Sequence, residues 1–382
     1  MADESVLTDG DILADGQAVA DDSRRFIRLH LNESPYEVPP ELIDRALAAA
    51  RVGLNRYPET AAARLQAAYA DYTNASAGLD GAVGGGESRE AVRPDQVVPA
   101  NGGDEAINLT VQALRPLIRQ VVVMPPTFSE YARAAGVAGR RVVEVPLTRN
   151  HHVDLAALTE AVSKGPSLIF ICDPNNPTGN PLEAATVLEA LTRARPDTFV
   201  AVDEAYWEFA TDEPYGRGRT VVGLVARHPN LIVLRTMSKA FSLAGARLGF
   251  AIAAPDVARR LEDARMPFNI NSLTAAIAEE VLRDPVHVRE VTARVVAGRR
   301  RLAEGLAAIP GVAPHPSLTN FVLARTDPPA DEVFEAMKAR GVLIRHYPRR
   351  KDLSHHIRVA VGTPDEIDRC LRALAETMEV LR

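Results

Sequence analysis

The stretch RTMSKAFSLAGARLGF, residues 235–250, decides how the rest of the chain is read. It follows the apolar run Leu231 to Leu234, which reads as a buried strand, and it passes into a second apolar run, Leu248 to Ile252. Lys239 therefore stands in a loop between two buried strands, with Thr236 and Ser238 before it and Arg247 after it. Desolvation lowers the pKa of a lysine and frees its amine to attack a carbonyl. The two hydroxyls and the guanidinium are the donors a phosphate group requires. Taken alone, the stretch reads more readily as a Ser-Lys-Ala turn carrying a surface lysine, so its neighbours along the chain must separate the two readings.

The 382 residues suffice for two or three cores, and 46% hydrophobic with 25% charged residues is an ordinary globular composition. A net charge of −6 without a dominant basic block argues against a nucleic-acid partner. No apolar run approaches the roughly 18–20 residues that span a bilayer. The acidic N-terminus lacks a signal-peptide core, so a cytoplasmic location is expected. Cys172 and Cys370 are too few and too far apart in sequence for a disulfide framework. The pairs His151-His152 and His355-His356 project in diverging directions, so no metal site is expected.

Residues 1–25 are rich in Asp, Ala and Gly and read as a mobile tail. Pro39 and Pro40 open a helix with an expected apolar face of Leu42, Ile43, Ala46 and Leu47, and a second helix is predicted from about Thr60 to Tyr72. The segment from Ala75 to Ala91, with its Gly84-Gly85-Gly86 triplet, reads as a flexible loop. From Val97 onward, short apolar runs alternate with amphipathic helices. Val121 to Met124, Leu168 to Cys172, Phe199 to Val202 and Leu231 to Leu234 are strand-like, and one helix is predicted over Glu105 to Leu117. This alternation predicts an α/β fold around a mostly parallel sheet, with Leu248 to Ile252 as the antiparallel strand. The last third, helical to Ala307 and then carrying strands near residues 321–323 and 357–359, reads as a smaller α+β unit.

Ligands of open parallel sheets lie beyond the carboxyl ends of the strands, and the polar motifs fall there. In NGGDE (101–105) the backbone of Gly103 and Asp104 at a helix start suits an anion, although a plain Asp104 N-cap is an even alternative. DPNNPTG (173–179) is either a stiff turn or a mount for the Asn176 amide. Asp203, ending the strand FVAV, is either a helix cap or the partner of a protonated heterocyclic nitrogen, with Tyr206 beside it.

Together, SKAFSLAGARLGF, DPNNPTG and VDEAY resemble the fold-type-I aminotransferases that depend on pyridoxal 5'-phosphate (PLP), over nearly the whole chain from about residue 27. Within them the likeness is nearest to the histidinol-phosphate aminotransferases, on the segments LNESPY, NRYP, PPTF and DEAYWEF. Phe128 stands where many members have tyrosine, which keeps a stacking face but loses a hydroxyl; Ser34 stands where they have asparagine. The resemblance implies a seven-stranded, mostly parallel sheet in a large PLP-binding domain, residues 56–272. A small domain, 273–382, would be joined by residues 26–55.

Residue by residue, the resemblance implies that Lys239 forms the Schiff base with PLP and that Asp203 pairs with the pyridinium nitrogen. Asn176 and Tyr206 would hold the ring oxygen, and Phe128 would stack on the ring. The phosphate would be taken by the backbone of Gly103 and Asp104, by Thr236 and Ser238, and by Arg247. Tyr57 would reach the cofactor phosphate of a partner subunit, which implies a homodimer with shared active sites. For the substrate, Arg358 in IRVAVG and Arg345 in VLIRHY would bind carboxylate or phosphate, with Asn176 and a covering Tyr36. The implied reaction exchanges amino groups between histidinol phosphate and 2-oxoglutarate, with glutamate as the other product, in histidine biosynthesis. An aromatic aminotransferase, or a PLP-dependent decarboxylase or cyclase, uses the same motifs and stays open.

Overall fold

The computed structural model describes residues 26–51, 53–58, 62–79, 90–195, 197–210 and 220–381. The expected tail, 1–25, and the glycine triplet, 84–86, lie outside them. The strands are β1 (Ile27–Arg28), β2 (Val97–Ala100), β3 (Gln120–Val123), β4 (Arg141–Glu144), β5 (Ser167–Cys172) and β6 (Phe199–Asp203). They continue with β7 (Leu231–Thr236), β8 (Gly249–Ala253), β9 (Val312–Pro314), β10 (Phe321–Thr326), β11 (Val342–Leu343) and β12 (His356–Ala360).

A seven-stranded sheet runs in the order β2-β8-β7-β6-β5-β3-β4. All its pairings are parallel except those of β8, which is antiparallel to β2 and β7. Its central strands are buried on both faces, so they read as unbroken apolar runs. Successive residues serve opposite cores. Leu168, Phe170 and Cys172 enter one cluster while Ile169 and Ile171 enter the other, and Ile232 and Leu234 face away from Leu231 and Val233. Each fully buried Leu, Ile or Phe contributes ~1.5–3 kcal/mol. β4 was not anticipated because its charged ends, Arg141 and Glu144, are exposed at the sheet edge.

Three helices refine the expectations. In α1 (Pro40–Ala50) the buried positions are Leu42, Ala46 and Ala50, a strict four-residue spacing, so Leu47 is turned outward instead of joining the apolar face. α2 (Ala62–Ala77) continues past Tyr72 to Ala77, into what was expected to be loop. Its last turn is fastened by Asn74, whose side chain donates to the Val92 carbonyl at 2.9 Å and accepts from the Val92 N–H at 2.8 Å. α3 (Gly102–Leu114) starts earlier and ends earlier than expected, which puts Asp104 in its first turn and excludes the N-cap alternative. No helix of the described residues is long and apolar enough to cross a membrane.

The later strands form an antiparallel sheet, β12-β10-β9, and β11 pairs in parallel with β1. That pairing draws the segment after β1 across the molecule. The Leu29 carbonyl accepts from Ala360 N–H at 2.9 Å, and the Asn32 carbonyl accepts from Asn320 Nδ2 at 2.9 Å. The residues of LNESPY are thereby set against the carboxyl edge of the seven-stranded sheet.

A buried ion cluster ties the ends of β6 and β7 together. Arg235, on β7, donates through Nε to Glu204 at 2.8 Å and through its NH2 group to Thr220 at 2.8 Å, and it lies over the Trp207 ring at 4.4 Å. Glu208 faces the same guanidinium at 3.7 Å. Removing one partner of such a pair strands the other charge. Arg235→Ala should therefore cost ~3–5 kcal/mol in urea unfolding, and replacing Arg235, Glu204 and Glu208 together by apolar residues of similar size should recover most of it.

Candidate active site

A cavity of about 750 Å³ opens at the carboxyl edge of β5, β6 and β7. Its wall includes Gly103, Asp104, Phe128, Asn176, Asp203, Tyr206, Thr236, Ser238, Lys239, Arg247, Arg345 and Arg358, so the structure brings together twelve of the residues singled out from the sequence. Tyr57 and Tyr36 are not among the lining residues. Tyr57 is exposed and stacks on Phe268 at 4.7 Å, and Tyr36 packs beneath Arg294, 5.4 Å from its guanidinium.

Lys239 follows β7 directly and is half-buried. Its Nζ donates to the carbonyls of Asn32 at 3.1 Å and Leu31 at 3.4 Å. Burial lowers its pKa to about 8, and the nearby Arg358 pushes in the same direction. The amine is therefore neutral in roughly a tenth of molecules at pH 7, far more than for an ordinary lysine, as a nucleophile or base requires.

Asp203 ends β6, where the parallel sheet stops and the chain turns into the cavity. Its carboxylate accepts from Tyr131 OH at 2.7 Å and from Ala205 N–H at 3.0 Å, and no cation is among these partners. Burial pushes its pKa up to about 6. A buried carboxylate without a cation fits a protonated ring nitrogen. Tyr206 is also buried; Asn32 Nδ2 donates to its hydroxyl at 3.1 Å, which leaves the phenolic proton free for an oxygen in the cavity. Burial holds that phenol well above its ordinary pKa, so it remains a donor.

Opposite lies an anion cradle. The Asn101 side chain makes no capping hydrogen bond to α3, so the first-turn N–H groups at Gly102 to Asp104 remain available to a ligand. Thr236 donates to Ser238 Oγ at 3.0 Å, and Arg247 reaches Asp104 Oδ2 at 3.0 Å. The cradle is closed from behind: a Cβ on Gly249 would meet Gly102 C at 2.7 Å, and one on Gly102 would meet the Arg247 guanidinium at 2.7 Å. Backbone contact requires glycine at 249, whereas at 102 it is the positive φ of 84° that favours glycine. A backbone cradle with two hydroxyls and an arginine fits a phosphate ester, and it opens into the same cavity as Lys239 and Asp203.

The substrate side is built from β12 and the strand-like stretch after β11. Arg358 is buried; it donates to Asn176 Oδ1 at 2.6 Å and to the His30 carbonyl at 2.8 Å. Its Nε has no acceptor among the described residues. Arg345 faces it across an antiparallel bridge closed by Arg345 N–H to Arg358 O at 2.9 Å and Arg358 N–H to Arg345 O at 2.8 Å. Directly opposed residues in such a bridge project to the same side.

Tyr131 and Asn32 were missed at the sequence level. Asn32 was quoted only as part of a motif, and its left-handed backbone (φ 54°), which turns its carbonyl toward Lys239, has no sequence signature beyond an Asn before an acidic residue. Tyr131 is one aromatic on an otherwise plain helix.

A half-buried lysine, a buried carboxylate and a backbone anion cradle in one cavity at the carboxyl edge of this sheet suit a fold-type-I PLP-dependent enzyme. Residues 24–374 match the family model "Aminotransferase class I and II", and the chain belongs to that family. It is 35% identical over 360 residues to the histidinol-phosphate aminotransferase of Roseiflexus castenholzii, covering 92% of this chain and 90% of that protein. It is 37% identical to that of Symbiobacterium thermophilum, covering 91% and 90%. The solved structure of the Sinorhizobium meliloti histidinol-phosphate aminotransferase in complex with pyridoxal 5'-phosphate superposes with a TM-score of 0.80 at 25% identity, over 96% of this chain and 95% of that one. The enzyme is thus a PLP-dependent aminotransferase.

Proposed function

We propose that the enzyme interconverts histidinol phosphate and 2-oxoglutarate with imidazole-acetol phosphate and glutamate; in histidine biosynthesis glutamate is the amino donor and histidinol phosphate the product. The observation that carries this reading is the bridged pair Arg345 and Arg358 on one wall of the cavity. A monoanionic carboxylate is satisfied by one guanidinium, whereas a phosphate monoester offers charge and oxygens for two.

Bound PLP supplies an electrophilic carbon and an electron sink for the substrate. The chain's own residues do the rest. Lys239 Nζ would hold the cofactor and, as a free amine, would take the proton from the substrate Cα. Asp203 would favour a proton on the ring nitrogen, and Asn176 and Tyr206 would donate to the ring oxygen. Phe128 would stack against the ring. Gly103, Asp104, Thr236, Ser238 and Arg247 hold the phosphate, and Arg345, Arg358 and Asn176 orient the substrate. Tyr36, off the lining, would need to turn inward to cover it.

Residues 56–272 serve as the cofactor-binding unit, and 273–382 with 26–55 as the unit that supplies the substrate arginines; the pairing of β1 with β11 supports this division. Tyr57, with exposed Leu54, Met266 and Phe268 nearby in sequence or space, suits a face covered by a second copy, where Tyr57 would reach the partner's phosphate site. Two buried free thiols suit the cytoplasm.

Arg345→Ala tests the substrate. It should lower kcat/KM for histidinol phosphate ~10²-fold, the loss of one charge-assisted contact, while an unphosphorylated amino donor changes by less than about threefold. Equal losses on both donors would favour an amino-acid aminotransferase on the same scaffold.

A further inference from the structure

Tyr131 lies on α4 (Glu130–Val137), fully buried behind the cavity and absent from its lining. Three contacts fix it. Its ring stacks on Phe170 of β5, with centroids 4.6 Å apart and planes 4° from parallel. It meets Phe128 edge-to-face, with centroids 5.7 Å apart and planes at 85°. Its hydroxyl donates to Asp203 Oδ2 at 2.7 Å. The stack on a central strand anchors the ring rigidly, so its edge and its hydroxyl are both held in place.

We propose that Tyr131 is a positioning residue for the cofactor ring: its hydroxyl keeps Asp203 ionised and aimed, and its ring edge sets the plane of Phe128. This rests on the reading that Asp203 pairs with the ring nitrogen and Phe128 covers the ring. The groups around Asp203 all disfavour its charge or leave it uncompensated. Asp104 and Glu204 repel it, and Cys172 and Tyr206 are neutral thiol and phenol held protonated by burial. Among the described residues two donors oppose this, Tyr131 OH and Ala205 N–H. Removing one leaves a carboxyl, already pushed up to about 6 by burial, that protonates at a still higher pH. A protonated Asp203 no longer favours the proton on the ring nitrogen. One side chain out of contact with cofactor and substrate thereby governs both the electronic and the stacking contact to the ring.

The test titrates PLP into apoenzyme and follows absorbance over a pH series around neutrality, so it needs no turnover. Tyr131→Phe keeps the ring and removes the hydroxyl. It should bind PLP about tenfold more weakly at neutral pH, and the acid pH at which affinity falls away should move upward. Tyr131→Leu, which also removes the edge against Phe128, should weaken binding further. Asp203→Asn should bind weakly with that pH dependence abolished. Wild-type affinity and an unmoved pH midpoint in Tyr131→Phe, alongside a weakened Asp203→Asn, would overturn the role of Tyr131. Normal PLP binding by Asp203→Asn would instead overturn the reading of Asp203 on which that role rests.

Discussion

Replacing Lys239 by alanine is expected to lower transamination about 10⁴-fold, the upper range for removing a positioned group that both holds and moves a proton. Nothing else is placed to substitute for it. The chain has four lysines, Lys164, Lys239, Lys338 and Lys351, and Lys239 alone is among those lining the cavity. The variant should also lose the visible absorption of lysine-bound PLP while keeping a folded core, because among the described residues Nζ meets two backbone carbonyls, Leu31 and Asn32, and the Tyr206 ring, none of which needs it as a counter-charge. Single-turnover absorbance with a saturating amino donor measures both. Wild-type turnover in Lys239→Ala would remove the basis of the site assignment.

The second large effect is expected from Arg358→Ala. Arg358 is buried, anchored on Asn176 and His30, and its Nε is left for an anion. Truncating a buried, hydrogen-bonded charge costs ~2–5 kcal/mol, which corresponds to a fall of about 30-fold to several thousand-fold in kcat/KM. Unlike the Arg345 variant, this loss should extend to phosphorylated and unphosphorylated donors alike, because Asn176, proposed to serve cofactor and substrate together, loses its partner. Arg358→Lys should rescue little, since a point charge cannot reproduce the two forked contacts. Steady-state kinetics on both donor classes checks this, and a loss confined to phosphorylated donors would assign Arg358 to the phosphate alone.

Much of this site was legible in the sequence because its chemistry sits where secondary structure ends. Asp203, Asn176 and Lys239 each follow a central strand whose apolar run is unmistakable, and a parallel sheet delivers all such ends to one edge. Arg358 was legible for the related reason that an arginine flanked by Ile357 and Val359 must find an anion or carbonyls. What the sequence hid depends on contacts distant in the chain. The hydrogen bond from Tyr131 to Asp203 joins a helix to a strand that is not its neighbour in sequence, and no periodicity encodes it. The carbonyls that hold Lys239 belong to a segment placed by the pairing of β1 with β11, two strands too short to announce themselves. Edge strand β4 and the outward turn of Leu47 were misjudged for a simpler reason. Hydrophobic spacing identifies a buried face only when the neighbouring element is known.

The central claim is that one amine, Lys239, holds PLP in the cavity below β5–β7. Its most direct measurement is reduction of the PLP-loaded enzyme with borohydride, which fixes the cofactor to whichever amine carries it, followed by peptide mapping by mass spectrometry. The label is expected on the peptide containing Lys239 at close to one per chain, with Lys164, Lys338 and Lys351 unlabelled. A label on any of those three, or none retained on the chain, would contradict the account.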